Sequence, residues 1–195
     1  MLYNQNCLNV AKIASKSEVR PELAGVFFTK DKVVATDSFK LLEMTTSKGY
    51  KVEDYPDAKH PVMKGFKPFI IPAKELSKVK IPKNKSLPVL ENVAVSYVDD
   101  KRVDLMTTDL ETADIKSFRR IDAKYPDYEK VFPTGEAKAE INISAEYLIR
   151  VLEVMGKVNN LGTIKIKFYS DQMPLVLEAK NDNQSARAMV MPLRK

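Results

Sequence analysis

The sequence predicts an α+β fold of antiparallel sheets with helices on one face. Three observations carry this. A short helical pattern followed by three strand-like runs occurs three times, with a period of roughly 65 residues. The strands come in consecutive groups instead of alternating singly with helices, which favours antiparallel over parallel sheets. Lys30-Asp31 and Asp99-Asp100 separate neighbouring strands at hairpin distance. The chain has 195 residues, enough for one large domain or one and a half small ones.

The first helix-plus-strands unit spans residues 1–66. Asn6 to Lys16 reads as a helix with Leu8 and Ile13 on an apolar side and Lys12 and Lys16 at i,i+4 on another. Pro21 stops it. Gly25–Thr29, Lys32–Thr36 and Phe39–Thr45 follow as strands, all rich in β-branched and aromatic residues. Lys30-Asp31 fits a two-residue hairpin turn without the usual glycine. Residues 47–67 carry Gly49, Pro56, Pro61 and Gly65 and read as a loop.

The second unit spans residues 67–121. Phe69-Ile70-Ile71 precedes Pro72, whose fixed φ suits a helix start, and Ala73–Lys80 reads as a helix ended by Pro82. Asn92–Val98, Arg102–Thr107 and Thr112–Phe118 are the strands, the first two separated by Asp99-Asp100. Residues 122–133, with Pro126 and Pro133, form a linker. The third unit, residues 134–195, opens on alternating Ala139, Ile141 and Ile143. Ser144 is a helix N-cap. Ala145–Val158 is the clearest helix, with Tyr147, Leu148, Val151, Leu152 and Met155 on its apolar face and Arg150 and Lys157 on a polar one. Thr163–Tyr169, Pro174–Ala179 and Ala186–Met191 complete it as strands.

Composition narrows the function. Apolar residues are 44% and charged residues 30% of the chain, a globular balance. A net charge of +6 and a pI of about 9.2 favour polyanionic partners. Cys7 is the single cysteine and His60 the single histidine, too few for an intrachain disulfide or a structural zinc site. The N-terminus lacks signal-peptide design, and no apolar run nears the ~20 residues that span a bilayer. The expectation is a cytoplasmic protein that does not engage membranes. No nucleophile stands with a base at a recognisable spacing, no glycine-rich loop cradles a phosphate, and Asp99, Asp100 and Asp109 fit turn chemistry better than metal ligation. The sequence therefore points to no catalytic residues, no metal and no cofactor.

Four segments in order carry a resemblance. Val33-Val34-Ala35-Thr36-Asp37-Ser38-Phe39-Lys40-Leu41, preceded by Arg20-Pro21-Glu22-Leu23-Ala24-Gly25-Val26, resembles a strand-turn of the bacterial DNA polymerase III beta sliding clamp family. Tyr125-Pro126-Asp127-Tyr128-Glu129-Lys130-Val131-Phe132-Pro133 resembles that family's linker between its middle and last domains, and Val190-Met191-Pro192-Leu193-Arg194 resembles its C-terminus. The resemblance covers roughly the whole chain and implies the DNA clamp fold. Residues 1–121 resemble the complete middle domain, and residues 134–195 resemble only the second half of the last one. A first domain has no counterpart here. Lys40 stands where the family usually has arginine.

The resemblance implies two sites. One is a hydrophobic pocket for client peptides, carried over to Leu23, Thr36, Ser38, Phe39, Lys40, Leu41, Pro126, Lys130, Val131, Leu175, Val190, Met191, Pro192, Leu193 and Arg194. Leu41, Val131 and Val190 fit a strand core equally well. The other is a helix-lined surface that meets DNA phosphates without reading bases: Lys12, Lys16, Arg20, Lys74, Lys78, Arg150 and Lys157. Solvated helix faces are the commoner fate of such lysines. The implied partners are duplex DNA, DNA polymerase, other proteins with a clamp-binding motif, and a clamp loader. The family ring holds twelve helix-plus-strands units, six from each of two protomers. Four copies of this chain would match it by division, and pairing of the odd third unit between two copies is the alternative; either way a homo-oligomer, tetramer or dimer, is expected. Two functions stay open: a processivity clamp that encircles DNA and recruits polymerase, or a non-ring adaptor or decoy that captures clamp-binding peptides.

Overall fold

The computed structural model describes residues 1–17, 19–46, 49–56, 62–63 and 65–193. His60, Pro61 and Arg194, all named above, lie outside them. The chain divides into an N-terminal body, Met1–Val131, and a C-terminal body, Phe132–Lys195.

The N-terminal body contains two antiparallel four-stranded sheets. Strands β1 (Leu2–Asn4), β2 (Gly25–Phe28), β3 (Lys32–Thr36), β4 (Leu41–Thr45), β5 (Phe69–Pro72), β6 (Asn92–Val98), β7 (Arg102–Thr108) and β8 (Ala113–Arg119) form them in the orders β4-β3-β2-β5 and β1-β6-β7-β8. The two repeats thus exchange their leading strands. β1, at the start of the first repeat, pairs with β6 of the second, and β5, at the start of the second, pairs with β2 of the first. Alternation dictates which side chains go inward. Val26 and Phe28 face the core opposite Ile71 and Phe69, and Tyr3 does so opposite Val93. All six are fully buried in one continuous core that both sheets share with the helices. Tyr3 meets Phe28 edge-on and Phe28 stacks on Phe69, both with ring centroids 5.0 Å apart. Gly25 is required here, because a Cβ would collide with the side chains of Ile70 and Ile121.

The helices of this body are shorter than the sequence predicts. Helix α1 covers Gln5–Asn9, capped by the Asn4 side chain, which accepts from the Cys7 N–H at 3.1 Å. It tightens into a 3-10 turn over Val10–Ile13. Lys12 sits in that turn and Lys16 lies past its end, so the expected i,i+4 pairing on a helix does not form. Helix α2 covers only Ala73–Leu76. Beyond it, i→i+3 bonds from Lys78 to Glu75 and from Val79 to Leu76 narrow the coil. That geometry eclipses residues three apart, which turns Leu76 and Val79 to the same buried side. The third strand begins at Leu41 instead of Phe39, because Ser38 takes a positive φ of 78° in the preceding turn.

The same turn recurs in the second repeat. The Thr36 hydroxyl donates to the Lys40 carbonyl at 2.8 Å, and Asp37 Oδ1 accepts from the N–H groups of Phe39 and Lys40 at 3.0 and 2.9 Å. Thr108, Asp109, Leu110 (φ 84°) and Thr112 reproduce this pattern bond for bond. Asn181 accepts from the N–H groups of Asn183 and Gln184 at the matching place in the third repeat. These are Asx turns, which let a side chain stand in for backbone.

The segment expected to be a linker packs on the outer face of the first sheet. Tyr125 stacks on Phe27 at 4.8 Å, and Tyr125, Tyr128, Val34, Ile70 and Leu41 share a small cluster.

The C-terminal body holds helix α3 (Ala145–Met155) and strands β9 (Lys165–Lys167), β10 (Leu175–Lys180) and β11 (Ser185–Val190), in the order β11-β10-β9. Ser144 caps α3 by accepting from the Tyr147 N–H. The helix ends three residues before the predicted Val158, because Lys157 and Val158 bond to residues three back. The alternating stretch Ala139 to Ile143 contributes a single bridge, between Ile143 and Pro192. β9 is shorter than predicted, and among the described residues only one of its edges is paired.

Candidate functional site

The pocket residues implied by the sequence fall on both bodies. On the N-terminal body they surround the turn between β3 and β4. Leu23 and Thr36 are buried, the latter locked into the turn itself. Ser38 accepts a bond from Arg20 Nη1 at 3.4 Å. Phe39 projects from the tip of the turn with 97% of its surface exposed. Lys40 pairs with Asp37. That ion pair, with the two backbone N–H groups, holds the Asp37 carboxyl down at about 2. Leu41 is half-buried against Tyr125 and Tyr128. Pro126 lies in the same docked segment. Lys130 is exposed and tied to Asp127 at 2.6 Å, a bond that raises its pKa. Val131 is largely exposed. The turn thus presents one aromatic ring and one apolar rim on a scaffold fixed by short side-chain-to-backbone bonds.

On the C-terminal body, Leu175 and Val190 pair across β10 and β11 and are buried in its core. Met191 and Leu193 are about half exposed. They and Pro192 form one wall of a cleft of about 590 Å³, whose other walls are Glu140, Ile141, Asn142, Asp171 and Gln172. The Leu193 N–H donates to the Asn142 carbonyl at 2.7 Å, which fixes the tail against the leading segment. Exposed methionine beside a polar rim is a soft, adaptable contact for an apolar anchor. The walls Glu140, Asp171 and Gln172 were not legible in the sequence, since they come from loops distant along the chain.

The basic residues also divide. Lys12, Lys16 and Lys74 rim one cleft of about 630 Å³ on the N-terminal body, over a floor that includes Ala14, Ala24, Ala73 and Ile121. Short helices, not long ones, bring them together: the 3-10 turn after α1 and the first turn of α2 face the same hollow. Lys78 points its amine at Glu75 (2.5 Å), and Arg20 holds Glu22 (3.1 Å). On the C-terminal body Arg150 pairs with Glu146 at 2.6 Å on α3, and Lys157 is exposed past its end. Lysines rimming a small-residue floor can neutralise phosphates without reading sequence.

Cys7 is buried, and burial raises its thiol pKa, the opposite of an activated nucleophile. Among the described residues no group of His, Cys, Asp and Glu could hold a metal ion, and no helix is long and apolar enough to cross a membrane.

No protein-family profile matches this sequence, and no curated protein sequence matches it. Solved structures do. The beta subunit of DNA polymerase from Streptococcus pyogenes superposes with a TM-score of 0.72 at 17% identity, over 100% of this chain and 50% of that one. The DNA polymerase III beta chain of Streptococcus pneumoniae gives 0.67 at 18% identity, over 100% and 49%. The Pseudomonas aeruginosa sliding clamp, solved bound to griselimycin, gives 0.65 at 16% identity, over 100% and 50%. Superposition along the whole chain gives one conclusion: the protein has the fold of a DNA polymerase III beta sliding clamp, over about half of that clamp's length.

Proposed function

We propose that this protein is a clamp-like processivity platform: it holds DNA polymerase and other replication proteins on duplex DNA and captures their peptides in a hydrophobic pocket. The observation that carries the reading is the superposition of the entire chain on beta clamps. The cleft rimmed by Lys12, Lys16 and Lys74 supports sequence-independent DNA contact. Phe39 on its rigid turn, and Met191 and Leu193 on the C-terminal body, support capture of apolar peptide anchors. The work is tethering and multivalent capture, which raises the local concentration of clients and needs no catalytic group. Encirclement requires a homo-oligomer, dimer or tetramer, and loading on closed DNA would involve a clamp loader.

The test is fluorescence anisotropy with a labelled nine-residue peptide carrying spaced leucine and phenylalanine anchors. Saturable binding that Leu193→Lys weakens about tenfold, on the scale of a single interface anchor, is the expected result. Binding indifferent to Leu193→Lys and Phe39→Ala would overturn the pocket assignment. Peptide capture with no retention on DNA would leave the adaptor function in place of the clamp.

A further inference from the structure

The C-terminal body is built like one repeat of the N-terminal body, but its sheet has one strand fewer. In the N-terminal body the first strand after each helix is covered by a leading strand from the other repeat. Phe28 and Val95, on those first strands, are 0% exposed. In the C-terminal body the matching strand, β9, is an open edge among the described residues, and Ile166 and Phe168 are 56% and 40% exposed.

The leading segment of this body is also half-used. In the second repeat, Ile70 stands two residues before the helix N-cap Pro72 and accepts from the Ile121 N–H at 3.0 Å, while the other edge of β5 pairs with β2. In the third, Asn142 stands two residues before the N-cap Ser144 and accepts from the Leu193 N–H at 2.7 Å. Among the described residues its other edge has no strand beside it. Ile143 and Ile141 hold the places of Ile71 and Phe69.

We infer that two copies of this chain join by reciprocal strand exchange: residues 140–143 of each copy pair antiparallel with β9 of the other, completing a composite domain like residues 1–121. The N-terminal body sets the register. Ile71 lies opposite Val26 and Phe69 opposite Phe28, so Ile143 comes opposite Ile164 and Ile141 opposite Ile166. Asn142 then meets Lys165, and Glu140 meets Lys167. That register buries isoleucine on isoleucine on the core face and sets a carboxylate across from an amine on the outer face. Lysines on an edge strand usually deter pairing. Here they sit on the outer face, and Lys167 already holds Glu178 at 2.6 Å, so neither blocks the core side. The interface rests on the self-association expected of a clamp; because Glu140, Ile141 and Asn142 also wall the cleft beside Met191, it is tested by mass and cross-linking and not by peptide affinity.

Multi-angle light scattering on the full chain is the test. The wild type runs at twice the 22.1 kDa chain mass or a higher even multiple. Ile166→Asp, at a site exposed in the single copy, halves that mass, while Met189→Asp leaves it unchanged. With buried Cys7 left in place, Ile141→Cys combined with Ile166→Cys gives a disulfide-linked dimer under oxidation. Within one copy the two positions lie across two strands of the sheet, beyond disulfide reach. A wild-type mass of one chain at the highest concentration, a mass unmoved by Ile166→Asp, or no cross-link would overturn the proposal. Loss of peptide or DNA binding with this behaviour intact would overturn the functional reading instead.

Discussion

Asp37 organises the turn on which Phe39 is mounted, and the consequences are separable. The Asp37 carboxylate is held at about 2 by Lys40 and two backbone N–H groups. An unpaired aspartate titrates near ~3.9. Its pKa is lower folded than unfolded, so the stability it contributes is fully present above about pH 4 and is lost as pH falls through 2. Melting curves of wild type and Asp37→Asn should differ at neutral pH and converge towards pH 2. The size of the gap is modest, because the pair is solvent-screened. Phe39 makes the opposite case. Its ring contributes almost nothing to folding, so Phe39→Ala should change stability by less than about 0.5 kcal/mol. The same substitution should cost about 1–2 kcal/mol in peptide affinity, roughly 5–30-fold. A Phe39→Ala protein that melts early, or binds peptide as before, would contradict this placement. The sequence made Thr36 and Asp37 look like part of a binding motif. Their recurrence as Thr108 and Asp109 shows that they build the turn, as the sequence suggests for Asp109 alone.

At the scale of elements, the exchange of β1 and β5 ties two repeats into one cooperative body. Phe69 lies at the junction, stacked on Phe28 across the exchanged pair. Phe69→Ala should cost about 3–5 kcal/mol and shift the unfolding of both sheets together in urea titration. Separate transitions for the two sheets would contradict the shared core. The strand groups were legible in the sequence, because alternation over Val93, Val95, Val103 and Leu105 is a local signal. The exchange was not. Pairing of β1 with β6 links residues about ninety apart in sequence, and periodicity within a window carries no information about partners. β1 itself, only Leu2–Asn4, is too short to show a period. Helix lengths were overestimated for a related reason. Apolar residues three apart, such as Leu76 and Val79, satisfy both an α-helical and a 3-10 template, and tertiary burial decides between them.

For the whole molecule, three of the basic residues rim one small-residue hollow: Lys12, Lys16 and Lys74. The sequence singled out these lysines on expected helix faces; Lys12 and Lys16 instead lie on and beyond a 3-10 turn, and Lys74 lies on a single helical turn. Replacing all three by glutamate should lower duplex affinity at least tenfold at moderate salt and reduce the slope of log K against log salt by about 2–3. An unchanged slope would place the DNA contacts elsewhere. Encirclement is a topological property, so the decisive measurement is retention on DNA of different topology. Dilute protein is concentrated together with nicked circular duplex DNA and, separately, with the same DNA linearised; both are passed over a sizing column in high salt. A protein that encircles DNA should stay with the circle in salt that strips it from the linear form, and leave the circle when it is cut. Equal release from both forms would contradict encirclement.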